Sequence, residues 1–83
     1  MKVTVKYFAS IREDMGVSSE LVDTTASTLA ALRDELIALD GAYAESLARG
    51  RAVRMALNQI MCDESAALVD GAEVAFFPPV TGG

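Results

Sequence analysis

Histidine is absent from this 83-residue chain. Without imidazole, neither a Ser-His-Asp or Cys-His nucleophile system nor a His-based metal site can be built. Tryptophan is also missing, and cysteine occurs once, at Cys62. A single thiol forms no internal disulfide and no cysteine-rich metal site, which fits a reducing compartment and leaves stability to packing. Positive charge is scarce, with 7 Lys and Arg against 12 Asp and Glu and a net charge of -5. That balance repels a phosphate backbone and an anionic membrane surface, so nucleic acid is not expected as a partner. No apolar run approaches the roughly 18 residues that would span a bilayer. The opening Met1-Lys2-Val3-Thr4-Val5-Lys6 alternates where a signal peptide would be continuously apolar. The expectation is a cytoplasmic protein with no membrane contact.

What is present is a globular composition, 52% hydrophobic and 23% charged, in a length that suits one domain. A domain of this size buries only roughly 60% of its unfolded surface, so some apolar area should stay outside and be available to partners.

Alternation from Lys2 to Phe8 predicts a first strand, with Val3, Val5 and Tyr7 on one face and Lys2, Thr4, Lys6 and Phe8 on the other. Ala9 to Met15 suits a short helical turn closed by Gly16 as a left-handed cap. Ser19 to Thr24 reads as a second strand, antiparallel to the first. Ser27 is the expected N-cap of the main helix, in which Leu29, Leu32, Leu36 and Leu39 recur at helical spacing. Asp40-Gly41 breaks that helix, and a second short one is expected over 42–49, ending at Gly50. Val53, Met55 and Leu57 alternate with Arg54, Ala56 and Asn58 in a third strand, and Ile60 to Cys62 extends or follows it. After the Asp70-Gly71 turn, Glu73 to Phe77 forms the last strand, apolar on both faces. One helix covers only one face of a small sheet, so the other face invites a partner. Periodicity thus supports an α+β class; the element order is compatible with a β-grasp sheet wrapped on one helix, without proving that topology.

Residues 1–77 are expected to form the domain and residues 78–83 an extended tail. Pro78 and Pro79 lack N–H groups, end sheet pairing and favour a polyproline-like path. Gly82 and Gly83 lack Cβ atoms, so the backbone can thread a narrow channel and present its terminal carboxylate to a buried site. A terminal Gly-Gly alone is often no more than a frayed end; the stiff, apolar arm before it is what suggests delivery. Adenylation of the Gly83 carboxylate by an ATP-using enzyme would make it an electrophile, and sulfur attack would leave a terminal thiocarboxylate.

The run Asp70-Gly71-Ala72-Glu73-Val74-Ala75-Phe76-Phe77-Pro78-Pro79-Val80-Thr81-Gly82-Gly83 resembles the C-terminal signature of the MoaD family, the small sulfur-carrying subunits of molybdopterin synthase. Weaker likeness covers the whole chain, including Val3 to Ala9, Arg12-Glu13 and Ala56-Leu57-Asn58-Gln59. Ala72 departs from the acidic residue common in that family, in the turn and not in the tail. The resemblance implies a ubiquitin-like β-grasp fold and two partners: an adenylating E1-like enzyme that consumes ATP, and the large synthase subunit, in a heterotetramer with two small subunits at its ends. It also implies that Gly83 bears the sulfur, that Pro79, Val80, Thr81 and Gly82 form the inserted arm, and that sulfur passes to cyclic pyranopterin monophosphate. The chain itself would be non-catalytic and bind no cofactor permanently.

If the first and last strands are neighbours, Phe8, Ala75 and Phe77 fall on the sheet face opposite Val3, Val5 and Tyr7, and they are the candidate partner interface. Cys62 has no second cysteine and no basic cluster to lower its pKa, so it is expected to be a buried structural thiol rather than a sulfur carrier. The acidic pairs Glu13-Asp14, Asp34-Glu35 and Asp63-Glu64 are expected to be solvated surface, since adjacent helical residues do not face one another. Alternatives from neighbouring classes are a thiamine-pathway sulfur carrier, which typically lacks this Phe-Phe-Pro-Pro-Val tail, a ubiquitin-like protein modifier conjugated through Gly83, and a plain interaction domain.

Overall fold

A computed structural model describes residues 1–79 of the chain. The alternation at the N-terminus becomes β1 (Lys2–Tyr7), whose Val3, Val5 and Tyr7 are buried. The chain then turns through α1 (Ala9–Met15), closed by Gly16 at φ 77°, whose N–H donates to the Arg12 carbonyl at 3.0 Å. β2 (Ser19–Asp23) returns antiparallel beside β1, with Val3 opposite Val22.

The main helix, α2, spans Leu29–Ile37 and differs at both ends from the sequence expectation. Its N-cap is Thr28, whose Oγ1 accepts from the Ala31 N–H at 3.2 Å, and not Ser27. The reason lies in the partner segment: Thr28 bridges Ala67 antiparallel, and the Ser27 carbonyl accepts from the Leu68 N–H at 2.9 Å. Pairing therefore holds Ser27 outside the helix. At the other end Leu39 lies beyond α2 and is 61% exposed, so only Leu29, Leu32 and Leu36 form the buried stripe. Asp40 and Gly41, at φ 61° and 60°, make the break.

α3 (Ala42–Leu47) stops two residues short of Arg49, because Ala48 is already extended at ψ 144°. Gly50 is not in the left-handed region, so the expected glycine cap is replaced by another device, described below. β3 (Arg54–Leu57) and β4 (Ile60–Cys62) form a hairpin around Asn58 and Gln59, both at positive φ (51° and 68°). Two central residues of positive φ define the type I′ loop, whose twist matches that of paired strands. β5 (Glu73–Phe77) then enters the middle of the sheet, parallel to β1 and antiparallel to β3.

The resulting order, β2-β1-β5-β3-β4, is a mixed β-grasp sheet. Leu29, Leu32 and Leu36 of α2, Ile11 of α1 and Leu47 of α3 all join Val3, Val5, Val74 and Phe76 in one core. Tyr7 and Phe76, opposite one another across β1 and β5, stack at 6.4 Å. Each leucine so buried contributes about 1.5–3 kcal/mol over leaving it in water. Among the described residues all three helices thus occupy one face, and none packs on the other.

Candidate functional site

The uncovered face is built by strand register. Directly paired residues point the same way, so Lys6, Ala75 and Ala56 form one row across β1, β5 and β3, continued by Met61 of β4. The next row toward the end of β5 pairs Phe77 with Arg54. Phe8 lies just past β1 and is drawn to the same place by its N–H, which donates to the Phe76 carbonyl at 3.2 Å. Its ring meets Phe77 edge-on, with centroids 6.5 Å apart and planes at 85°, the geometry favoured by the ring quadrupoles.

The three residues expected at the interface therefore do share this face, though with different exposures. Phe8 is 44% exposed and Phe77 half-buried, while Ala75 and Ala56 are buried among their neighbours. Two alanines at the centre make a flat floor, and Phe8 rises at the end where β5 leads into Pro78 and Pro79. Both prolines are half-buried. Lys6 is neutralised on the face by Glu73 at 3.1 Å. Ala56, Met61 and Arg54 were not singled out from sequence; the strand alternation already put Arg54 and Ala56 together, but only pairing with β5 shows that they border Ala75 and Phe77. Val80, Thr81, Gly82 and Gly83 lie outside the described residues.

Support for this face comes from behind. The Tyr7 hydroxyl donates to Glu20 at 2.7 Å and the Tyr43 hydroxyl to the same carboxylate at 2.8 Å, tying α3 to β2 and β1. Burial and the hydrogen bond to Glu20 push the Tyr7 phenol well above its ordinary pKa; for Tyr43 the hydrogen bond to Glu20 is the larger cause. Arg33 replaces the missing glycine cap of α3: buried in the core, it donates to the carbonyls of Leu47 at 2.7 Å, Ala48 at 2.8 Å and Arg51 at 3.2 Å. Nothing in the sequence marks it, because a helical arginine normally signals a solvated face.

The acidic pairs do more than solvate. Asp34 and Glu64 clamp Arg49 at 2.9 and 2.5 Å, Glu35 accepts from the Thr24 hydroxyl at 2.8 Å, and Asp63 accepts from the Ser65 N–H at 2.8 Å. They are still not acid–base dyads, since within Asp34-Glu35 and within Asp63-Glu64 the two carboxylates turn to different partners. Cys62 is half-buried rather than buried, beside a shallow depression shared with Met55 and Asp63. Desolvation, then the Asp63 charge, raises its pKa, so the reactive thiolate is disfavoured. Among the described residues no cluster of three or more His, Cys, Asp or Glu is placed to hold a metal ion, and no helix is long and apolar enough to cross a membrane.

Comparison with known proteins agrees with this architecture. The chain is 40% identical over 81 residues to a molybdopterin synthase sulfur carrier subunit of Escherichia coli, covering 98% of this chain and 99% of that protein. Among solved structures it superposes on a protein–protein complex of subunits 1 and 2 of molybdopterin-converting factor from Helicobacter pylori, with a TM-score of 0.69, 30% identity and full coverage of both chains. The modifier protein SAMP1 of Haloferax volcanii matches with a TM-score of 0.77 and 25% identity, again over both whole chains. The fold is the ubiquitin-like β-grasp. The model of the ThiS family matches residues 5–83, nearly the entire sequence, and the chain belongs to that family.

Proposed function

We propose that this chain is the sulfur carrier of molybdopterin synthase, with its own C-terminal carboxylate as the reactive group. The observation that carries the reading is β5: the central strand of the sheet runs directly into Pro78-Pro79 beside an apolar face that no helix covers among the described residues. Its near-full-length likeness to a sulfur carrier subunit supplies the chemistry.

A carboxylate is a poor electrophile. Attack of the Gly83 carboxylate on the α-phosphate of ATP, catalysed by an E1-like partner, releases pyrophosphate and leaves an acyl-adenylate. Sulfide-level sulfur attacks its carbonyl carbon, AMP departs, and the chain ends in a thiocarboxylate. The arm Pro79, Val80, Thr81, Gly82 then enters the active site of the large subunit, where the sulfur passes to cyclic pyranopterin monophosphate. The stiff prolines limit the entropy lost on insertion. Catalytic acids, bases and phosphate-binding groups belong to the partners, and ATP is consumed by the adenylating one. Phe8, Ala75 and Phe77 form the docking face for the large subunit, in a heterotetramer with one small subunit at each end.

The test is sulfur transfer. Thiocarboxylated protein, verified by intact mass, is mixed with the large subunit and cyclic pyranopterin monophosphate, alongside a chain lacking Gly83. Dithiolene is expected only with Gly83 in place. No product from a verified thiocarboxylate and an active large subunit would reject this pathway. The likeness to a protein modifier favours conjugation to target lysines as the second reading, which predicts isopeptide-linked conjugates that vanish with Gly83.

A further inference from the structure

Three cations stand on the open face, and they are not equivalent. Lys2 is at the far end from the arm, and Lys6 is paired with Glu73. Arg54 lies opposite Phe77, at the root of the arm, exposed and making no ion pair or side-chain hydrogen bond among the described residues. Arg54 shares a shallow depression with Asp63 and Glu64, neither within ion-pair distance of it, and on its other side the face is apolar: Ala56, Ala75, Phe77 and Phe8. Contact of that kind is non-directional, so a partner resting on it alone would slide or rotate at little cost. Yet an arm that must reach a buried site tolerates little displacement, because small misplacements of a reacting group cost rate steeply.

Charge sharpens the point. With a net charge of -5, the chain attracts a basic partner surface at long range. At the root of the arm, Arg54 is a point where a partner cation is repelled and a carboxylate is favoured.

Resting on the sulfur-carrier reading, we propose that Arg54 is a register-setting docking residue, met by a carboxylate of the large subunit at the rim of the apolar contact. Exposed rim charges act mainly on association rate and salt dependence, and the arrangement penalises any seating that puts a cation or an apolar side chain at this point.

The experiment titrates the large subunit from the same source with the parent chain and with Arg54→Glu, Arg54→Leu and Phe8→Asp, at low and high salt, by calorimetry and stopped-flow. Thermal melts monitored by circular dichroism check that each variant is folded. Arg54→Glu is expected to weaken binding by about tenfold or more at low salt, chiefly through slower association, and Arg54→Leu by less. Both differences shrink at high salt as screening removes the charge. Unchanged or tighter binding by Arg54→Glu, with binding lost in Phe8→Asp, overturns the role of Arg54 and leaves the docking face standing. Unchanged binding by Phe8→Asp as well overturns the docking face with it.

Discussion

Replacing Arg33 with methionine tests how α3 is terminated. Arg33 is 5% exposed, and its guanidinium donates to two carbonyls at the end of α3, Leu47 and Ala48, at 2.7 and 2.8 Å, with Arg51 more distant at 3.2 Å. Methionine fills most of the same apolar path but has no donor. Leu47 is fully buried, so its carbonyl loses its partner without gaining water, at about 1–3 kcal/mol. Ala48 is half-buried and adds a smaller cost, while Arg51, exposed, finds solvent. Against this, the substitution removes the desolvation of a charge whose nearest carboxylate, Glu64, is 3.6 Å away. The net expectation is a loss of about 1–3 kcal/mol, or about 4–24 °C in melting temperature for a domain of this size. Urea unfolding followed by circular dichroism gives the first number and a thermal scan the second. Arg33→Lys should recover only part of the loss, since an ammonium cannot fork to several carbonyls. A melting temperature for Arg33→Met within about 3 °C of the parent would show that the carbonyls are satisfied otherwise, and the capping argument would fall.

Three further outcomes are expected. Because the Tyr7 phenol titrates higher in the folded chain than in the unfolded one, unfolded molecules lose that proton first as pH rises. Stability should therefore be flat through neutral pH and fall above about pH 10, by at most about 1.4 kcal/mol per pH unit for this proton; Tyr7→Phe, measured by urea unfolding across that range, should flatten the slope. Gln59, at φ 68° in the β3–β4 loop, suits glycine better, and Gln59→Gly should raise stability by about 0.5–1 kcal/mol; a loss would show that the loop is not type I′ in solution. Cys62→Ala should retain sulfur transfer, and its loss in a folded variant would place the carried sulfur on the thiol after all.

The parts legible in the sequence were those where one local signal coincided with the tertiary outcome. β5 was readable end to end because Asp70-Gly71 precedes it, Pro78-Pro79 follows it, and both its faces are apolar. The start of α2 was not, because Ser27 and Thr28 are equally good caps and the choice between them is made by Ala67 and Leu68, forty residues away. Leu39 continued the leucine spacing past Ile37, where α2 ends ahead of the turn at Asp40. Arg33, Glu20 and Tyr43 were invisible as a class: polar side chains whose burial is compensated by partners distant in sequence read as surface. The candidate face followed the same logic. Phe8 and Phe77 were found by alternation on their own strands, but Arg54 and Ala56 joined them only once β3 was known to flank β5.

The central position of β5 also has a mechanical meaning. If the arm is drawn into a partner's pocket, as proposed, the load falls on Phe77 along the strand axis, and β5 is held on both sides, by β1 in one direction and β3 in the other. Such a load shears both ladders of hydrogen bonds at once instead of unzipping them one after another. The tether of the arm is thus an interior strand and not an edge that can peel away, and such tension would be spread across the sheet.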